Sequence, residues 1–395
     1  MGILFPCDSC NSCFSCQKET DKDQNFYKTE KKNEICSIIS NDEINQKTKK
    51  EINQDLSENI NINIDKKLYG FLNPGNDCFM NASLQLMTHI DELTYFIKKS
   101  CENDIDKENE NIELKYKYYN IIKEIEEENG DKSINGGAIK EEIGKLDERF
   151  KTNDQQDASE FISFFIGKLL EETQGTKEIS NLEDELKELD ESEQEGFKRL
   201  WKRFFLRKGK SYIVDLFYGI LRVETRNKKD DKLISIRFNM FNILELPIYY
   251  LIKNRQSNIL DMEKILVSFF REKKDNDDDK TYDTTSIMKL PKYLLIFFNR
   301  SVDEEYLDNK ITYKEQIDMK NYLSLKQYEN YITSSYSLES IIEHTGNAKS
   351  GHYTTICKIS KEKWYRFSDT SYYINKTKFK SNDAIILLYK MNSLY

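Results

Sequence analysis

One cysteine stands where its sulfur could act as a nucleophile. Cys78 follows a loop of asparagine, proline and glycine, residues Asn73–Asp77, and precedes apolar residues at helical spacing. The positive end of a helix dipole favours a thiolate and lowers a pKa that is about 8.5 in free cysteine. Asn73 and nearby backbone N–H groups can hold the oxyanion that forms when a thiolate attacks a carbonyl. The alternative is a buried structural cysteine, and this stretch alone favours neither.

A cysteine nucleophile needs a base, which is usually a histidine. The chain has three histidines, His89, His344 and His352. His89 is excluded because it lies about 16 Å further along the same predicted helix, at 1.5 Å per residue. His352 begins a predicted strand just after Gly351, where an imidazole can face a cleft, whereas a structural role is favoured for His344. The same structural role is the alternative for His352.

The strand of His352 is predicted to pair with a return strand that begins at Trp364, and the register decides which residue faces the imidazole. If Ile359 pairs with Trp364, Asp369 lies beside His352 and its carboxylate holds the ring in the useful tautomer. A shift of one residue gives that place to Ser368. Serine can accept the imidazole N–H but carries no charge to stabilise an imidazolium. We therefore assign the orienting role to Asp369 and expect a slower enzyme if Ser368 takes it.

Several motifs of the chain resemble those of the ubiquitin-specific proteases, a papain-like family of deubiquitinating enzymes. Residues Gly70–Gln85 resemble the family's cysteine motif, G-L-x-N-x-G-N-T-C-Y-M-N-S-x-L-Q. Residues Tyr336–Asp369 are similar to its histidine motif, and Asn153–Phe161 matches its Q-Q-D-A-x-E-F signature. These motifs occur in the family's order and the resemblance covers roughly residues 68 to 392.

The resemblance implies a fold, a domain organisation and an activity. The fold is a papain-like α+β fold, with a helical thumb at about residues 68–175 and β-rich fingers and palm at about 200–395. The catalytic domain is expected over residues 67–395. The activity is hydrolysis of the isopeptide or peptide bond at the C-terminal glycine of ubiquitin, with Cys78 as nucleophile and His352 as base.

The resemblance also implies how the ubiquitin tail is bound. In the family, the acids that correspond to Asp157 and Glu160 face the basic C-terminal tail of ubiquitin, with Asp157 the stronger candidate. Gly351 and Tyr353, which flank His352, are assigned to substrate binding with them. The alternative for the two acids is a solvated helix face, because residues three apart project to the same side of a helix.

Two positions depart from the family pattern. The family usually has Asp or Asn directly after the phenylalanine of W-x-x-F-[DN]-D, where this chain has Ser368. Many relatives fix the fingertips with a zinc ion held by two C-x-x-C pairs, yet no cysteine lies between Cys101 and Cys357. We therefore predict no metal and no cofactor, and fingers held together by packing alone.

Composition limits the class of protein. The net charge of -9 argues against nucleic-acid binding, because phosphate contacts need a basic face. The apolar runs are too short to span a membrane. The catalytic region has only Cys78, Cys101 and Cys357, which is typical of a reducing compartment. We therefore expect an intracellular protein of the cytoplasm or nucleus.

Residues 1–66 form a polar tail that is predicted to be disordered. Its one distinctive feature is a cysteine cluster, which consists of Cys7, Cys10, Cys13 and Cys16. The spacing fits neither an iron–sulfur run nor two separated zinc-binding pairs. Palmitoylation of the cluster, giving weak lipid anchoring to a membrane, is the minority hypothesis.

Two other functions stay open. One is a catalytically weak or silent scaffold that binds ubiquitin, which Ser368 favours and which the presence of Asn73, Cys78 and His352 disfavours. The other is a protease of the same fold that acts on another ubiquitin-like modifier. The sequence does not show a preference for any ubiquitin chain linkage.

Overall fold

The computed structural model describes most of the chain between Lys67 and Asn392. The described residues are 67–103, 113–127, 133–173, 196, 200, 211–249, 259–271, 273–276, 280–302, 305–324, 333–347, 350–360, 362–376, 380–381 and 383–392. The predicted N-terminal tail and its cysteine cluster lie outside the described residues. The structure has helices and sheets in separate regions, so the fold class is α+β.

Helices form the half of the molecule that contains Cys78. They are α1 (Cys78–Thr88), α2 (Asp91–Glu102), α3 (Leu114–Glu127), α4 (Gly137–Leu146), α5 (Ala158–Glu172) and α6 (Tyr212–Phe217), followed later in the chain by α7 (Met262–Arg271). Short 3₁₀ turns occupy Glu148–Phe150 and Lys320–Tyr322. The apolar faces of α1 to α6 meet in one core, as their periodicity requires. No helix in the described parts of the chain is long and apolar enough to cross a membrane.

The predicted helix after Cys78 is two helices. His89 and Ile90 each donate a backbone hydrogen bond to the carbonyl three residues earlier, at 3.3 and 3.1 Å. Bonds of this type tighten the last turn of a helix and end it. The chain therefore turns before α2, and the ring of His89 stacks against Tyr69, with 5.6 Å between centroids. His89 lies away from Cys78, and its exclusion as a base is consistent with this position.

The strands follow mostly after α6. They are β1 (Gly219–Asn227), β2 (Leu233–Phe241), β3 (Leu244–Pro247), β4 (Ile259–Asp261), β5 (Lys274–Asp275), β6 (Thr281–Lys289), β7 (Tyr293–Asn299), β8 (Ser301–Val302), β9 (Glu305–Tyr306), β10 (Lys310–Thr312), β11 (Gln316–Asp318), β12 (Ser335–Gly346), β13 (Gly351–Lys358), β14 (Trp364–Ser368), β15 (Ser371–Ile374), β16 (Lys380–Ser381) and β17 (Ala384–Met391).

An eight-stranded sheet carries the second half of the site. Its order is β15-β14-β13-β12-β17-β7-β3, with β11 also paired to β12. Successive residues of a strand face opposite sides, so Ile342 packs into the core of the helical half and Ile341 into a second core with α7. Helix α1 lies against β13, which brings the element of Cys78 against the element of His352.

The fingers form a four-stranded sheet of order β2-β1-β6-β5. At its end Asp231, with φ of 59°, accepts hydrogen bonds from the hydroxyl of Tyr282 and from Lys273 Nζ. On one face Asp283 accepts from Thr225 at 2.7 Å and from Arg237 at 2.6 Å. The prediction that packing alone holds the fingers is therefore wrong, because charged hydrogen bonds cross the strands. Among the described residues, no group of three or more His, Cys, Asp or Glu could hold a metal ion.

The register between β13 and β14 differs from the predicted one by one residue. Lys358, and not Ile359, pairs with Trp364, and Thr355 pairs with Phe367. The extra residue is taken up in the hairpin turn, where Ile359 N–H donates to Lys363 O at 2.9 Å. Because side chains alternate between the faces of a strand, this shift exchanges the faces of all later residues of β14.

Candidate active site

The loop before Cys78 is shaped by the side chain of Asn73. Its Oδ1 accepts hydrogen bonds from the backbone N–H groups of Gly75 and Asp77, each at 3.1 Å. An asparagine that bonds to the backbone two residues ahead closes a tight turn. This turn leads directly into α1, of which Cys78 is the first residue. The sequence therefore sets the sulfur at a helix N-terminus, as predicted.

The thiol of Cys78 is buried, and this burial raises its pKa above the ordinary value. The charge of Asp369 acts in the same direction. Backbone N–H groups of Tyr353 and of the first turn of α1 act in the opposite direction, because they stabilise the thiolate. The prediction of a lowered pKa is wrong for the net shift, although the helix terminus contributes in the predicted sense. A thiol of this kind needs a base to take its proton when it attacks.

The imidazole of His352 is held by a serine. His352 is the second residue of β13, and its Nε2 lies 2.8 Å from Ser368 Oγ at the end of β14. The observed register produces this contact, since Ser368 now shares the face of His352. The orienting role predicted for Asp369 is therefore corrected. The hydroxyl of Ser368, and not the carboxylate of Asp369, contacts the imidazole of His352.

Asp369 instead contacts the cysteine loop. It begins the turn between β14 and β15, with φ of 48°, a left-handed conformation that aspartate tolerates. Its Oδ2 accepts from Asn73 Nδ2 at 2.9 Å, and its Oδ1 accepts from Asn81 Nδ2 at 2.8 Å. Its carbonyl accepts from Phe71 N–H at 2.8 Å. A carboxylate from the histidine side therefore fixes the amide predicted to bind the oxyanion.

A glycine permits this close approach of the two chain segments. A Cβ on Gly70 would lie 2.5 Å from the backbone of Thr370, so only glycine fits there. The segment before the cysteine can therefore run directly against the turn that holds Asp369.

A second link joins the histidine strand to the helical half. The side-chain amide of Gln155 donates to Gly351 O at 2.9 Å and accepts from Gly351 N–H at 2.8 Å. This pair of bonds fixes the start of β13, one residue before His352. Gly351 was predicted to bind substrate, but here its backbone is used for positioning. A side chain at Gly351 would also meet the ring of His344 at 2.2 Å.

The two predicted substrate-binding acids have other partners in this structure. Asp157 is the N-cap of α5, where its Oδ1 accepts from the backbone N–H groups of Ser159 and Glu160 at 2.6 and 3.3 Å. Glu160 is exposed and pairs with Arg149 at 2.6 Å. Neither contact excludes a further cation, since each carboxylate has a second oxygen. Their predicted role in substrate binding stays a prediction.

Tyr353 and His344 pack against one another in the protein interior. Their ring centroids are 4.4 Å apart, and both side chains are buried. Burial raises the pKa of Tyr353 and lowers the pKa of His344. The structural role predicted for His344 is confirmed. The side chain predicted to bind substrate at Tyr353 is part of the protein interior.

Three residues at the site carried no predicted role. Asn81 lies three residues after Cys78, so helical spacing alone places both on one side of α1 and could have identified it. Gln155 lies within the Q-Q-D-A-x-E-F segment, in which the predicted roles belong to the two acids alone. Lys140, in α4, contacts Asp77 but lies outside every motif. No sequence signal marks it.

Three comparisons with known proteins bear on this site. The family model described as ubiquitin carboxyl-terminal hydrolase matches residues 69–389. Ubiquitin carboxyl-terminal hydrolase 2 of Bos taurus is 26% identical over 344 residues, which cover 82% of this chain and 55% of that protein. Ubiquitin carboxyl-terminal hydrolase Usp2 of Drosophila melanogaster is 27% identical over 342 residues, 82% of this chain and 35% of that protein. The chain thus spans about half or less of these relatives.

Solved structures share the fold. The SAGA Ubp8/Sgf11/Sus1/Sgf73 DUB module bound to ubiquitin aldehyde contains a chain that is 20% identical, with a TM-score of 0.63. The likeness covers 85% of this chain and 71% of that chain. A structure of the yeast SAGA DUB module with a mutant Sgf73 gives a TM-score of 0.62 at 20% identity, over 85% and 70% of the two chains.

Proposed function

Because the chain belongs to the ubiquitin carboxyl-terminal hydrolase family, we propose that it is a deubiquitinase that uses Cys78 as its nucleophile. It hydrolyses the isopeptide or peptide bond at the C-terminal glycine of ubiquitin. One observation carries the proposal. Helix α1, which begins at Cys78, packs against β13, whose second residue is His352, and Thr355 Oγ1 of β13 donates to Ala82 O of α1 at 2.7 Å.

His352 is the proposed base. Its Nε2 is engaged by Ser368, so proton exchange with the thiol takes place through Nδ1, the opposite ring nitrogen. The imidazole takes the thiol proton as sulfur attacks the glycine carbonyl, and returns it to the leaving amine. Water then adds to the thioester, again with the imidazole as base, and releases ubiquitin with a free carboxylate. Ser368 orients the ring without supplying a charge, which favours a slow enzyme over a fast one.

Asn73 is the proposed oxyanion donor, and Asp369 is its positioning residue. The amide of Asn73 has two N–H bonds, of which one is donated to Asp369. The other N–H, together with the backbone at Cys78, is proposed to bind the oxyanion of the tetrahedral intermediate. A carboxylate on the first N–H polarises the amide and fixes its orientation before reaction, which is the condition for effective oxyanion stabilisation.

Ubiquitin is the proposed partner, and its basic tail is the part that Asp157 meets first. Asp157 is half-buried and already fixed by the N-terminus of α5, which makes it a rigid acceptor for an arginine. Glu160 would have to exchange Arg149 for the ligand, so it contributes less. The free cysteines among the described residues, Cys78, Cys101 and Cys357, favour a reducing intracellular compartment. The proposed reaction uses no cofactor.

The test is a ubiquitin that carries an electrophile at its C-terminus. We expect one covalent adduct, located at Cys78 by peptide mass spectrometry, and none with Cys78→Ala. Release of a fluorophore from the C-terminus of ubiquitin should be lost in the same variant. Binding of ubiquitin without an adduct would instead support the silent scaffold.

A matched probe separates the remaining alternative. The same electrophile on another ubiquitin-like modifier should label Cys78 more slowly than the ubiquitin probe does. Faster labelling by that modifier would contradict ubiquitin as the substrate.

A further inference from the structure

The residue immediately before the nucleophile is a buried acid. Asp77 stands where the family's cysteine motif has threonine, and its side chain is 3% exposed. Its carboxylate makes no capping hydrogen bond to α1. An unpaired buried carboxylate at this position would oppose the formation of a thiolate on Cys78, because two like charges would lie close together in a poorly solvated site.

Among the residues that the structure describes, the carboxylate has one cationic partner, which comes from another helix. Lys140 Nζ, in α4, lies 2.5 Å from Asp77 Oδ1 and 2.9 Å from Asn153 Oδ1. The lysine side chain is itself largely buried, at 17% exposure. The pair is therefore only weakly screened by solvent.

The same contact fixes the position of the cysteine loop. Asn153 O accepts from Asn76 Nδ2 at 2.8 Å, so Lys140 and Asn153 together hold both residues that precede Cys78. We propose that Lys140 is a positioning residue for the nucleophile, whose ammonium neutralises Asp77 and so removes one of the negative charges that oppose thiolate formation on Cys78. This inference rests on the proposed role of Cys78.

Other ionisable groups lie on the elements that pack against α1. They are His352 and Tyr353 on β13, Asp369 after β14, Asp157 and Glu160 at α5, Glu343 and His344 on β12, and Asp91 and Glu92 on α2. Glu160 pairs with Arg149, Glu343 with Arg366, and Glu92 with Lys292 and Lys390. Asp369 acts on Cys78 in every variant below. These groups are the same in every variant, so a change in the titration of Cys78 reports on the pair of Asp77 and Lys140.

The test is the pH dependence of alkylation of Cys78 by iodoacetamide, followed by peptide mass spectrometry on the full chain. Lys140→Gln should raise the midpoint by about one pH unit, the effect of one uncompensated charge at this range, and slow the reaction about tenfold at pH 7. Lys140→Arg, which keeps the charge, should leave the midpoint within a few tenths of a pH unit of the wild-type value. Asp77→Thr should lower the midpoint. The double variant Asp77→Thr with Lys140→Gln should return the midpoint to near the wild-type value.

The double variant separates an electrostatic role from a merely structural one. A lysine that only stabilises the fold would give a Lys140→Gln protein with a lower melting temperature and an unmoved midpoint, and this result would overturn the inference. A double variant shifted as far as Lys140→Gln alone would overturn it too, because the effect would not pass through Asp77. The titration uses no ubiquitin, so it is decided independently of the proposed substrate.

Discussion

Two carboxylates bridge the helical half and the sheet half of this molecule, and they differ in what meets them. Glu92 on α2 is 4% exposed and contacts Lys292 and Lys390, with the hydroxyl of Tyr212 at 3.1 Å. Asp369 contacts the side-chain amides of Asn73 and Asn81. Glu92 therefore pairs with cations, whereas Asp369 accepts hydrogen bonds from neutral amides.

The difference separates a structural link from one that lies at the proposed active site. Burial alone would raise the pKa of Glu92, but the charges of Lys390 and Lys292 outweigh it, so its pKa lies below the usual range. Its charge is neutralised where it lies, and the bridge holds the two halves together. The charge of Asp369 is not cancelled by its amide partners. It acts instead on its surroundings, by polarising Asn73 and by raising the pKa of Cys78.

The largest expected effect comes from removing the charge of Asp369. Asp369→Asn should lower kcat roughly 10²-fold, about the loss of one oxyanion donor, with little change in KM. The pKa of the Cys78 thiol should fall in the same variant, because a nearby negative charge is removed. Steady-state kinetics with a fluorogenic ubiquitin substrate and a thiol titration measure the two effects.

Asn73→Ala provides the matched control for Asp369. If Asp369 acts through Asn73, the double variant should be little slower than either single variant. Multiplicative losses would show that the two residues act separately, and an Asp369→Asn enzyme within about threefold of wild type would contradict the role given to this carboxylate.

Glu92→Gln should affect stability and not chemistry. The loss of its charged hydrogen bonds should reduce the free energy of unfolding by about 2 kcal/mol, as measured by denaturant titration, with kcat unchanged. Because the pKa of folded Glu92 is lowered, its stabilisation is present above the unfolded value of about 4.3 and is lost as pH falls through the folded value. The two proteins should therefore converge in stability at acid pH. A constant difference down to pH 3 would contradict the ion-pair assignment.

The smallest expected effect is a gain of activity at Ser368. Ser368→Asp places a carboxylate on Nε2 of His352, where it can stabilise the imidazolium, and should raise kcat about tenfold. Ser368→Ala removes a neutral hydrogen bond of about 1 kcal/mol and should lower kcat by a factor of about five to ten. Kinetics of the two variants side by side provide the check. An alanine variant as slow as Asp369→Asn would remove the distinction between the two positions.

The sequence indicated the fold and the pairing of Cys78 with His352 because the signals for both are local or come in a fixed order. Helical spacing after Cys78, alternation around His352 and the ordered motifs are enough for an α+β fold of this family. The helix break at His89 was missed, since the apolar stripe continues through it into α2. Periodicity records which face is buried, and it does not record where the helix axis turns.

The arrangement of the site was predicted less well, and the reason is the register. A shift of one residue in a hairpin is decided by the turn at Ser360–Lys363, whose composition allows more than one loop length. That shift placed Ser368, and not Asp369, beside His352. The carboxylate of Asp369 contacts Asn73 instead. The pair of Asp77 and Lys140 was also not predicted, because contacts between helices distant in sequence leave no periodic signal.

The central claim is that Ser368 holds the imidazole of His352 while Asp369 holds Asn73, and histidine NMR tests it directly. The chain has three histidines, so protein labelled with ¹⁵N at histidine gives few ring signals, and His352→Gln assigns those of His352. We predict that Ser368→Ala moves the Nε2 resonance of His352 and that Asp369→Asn leaves it nearly unchanged. A resonance that moves with Asp369→Asn and stays in place with Ser368→Ala would contradict the account.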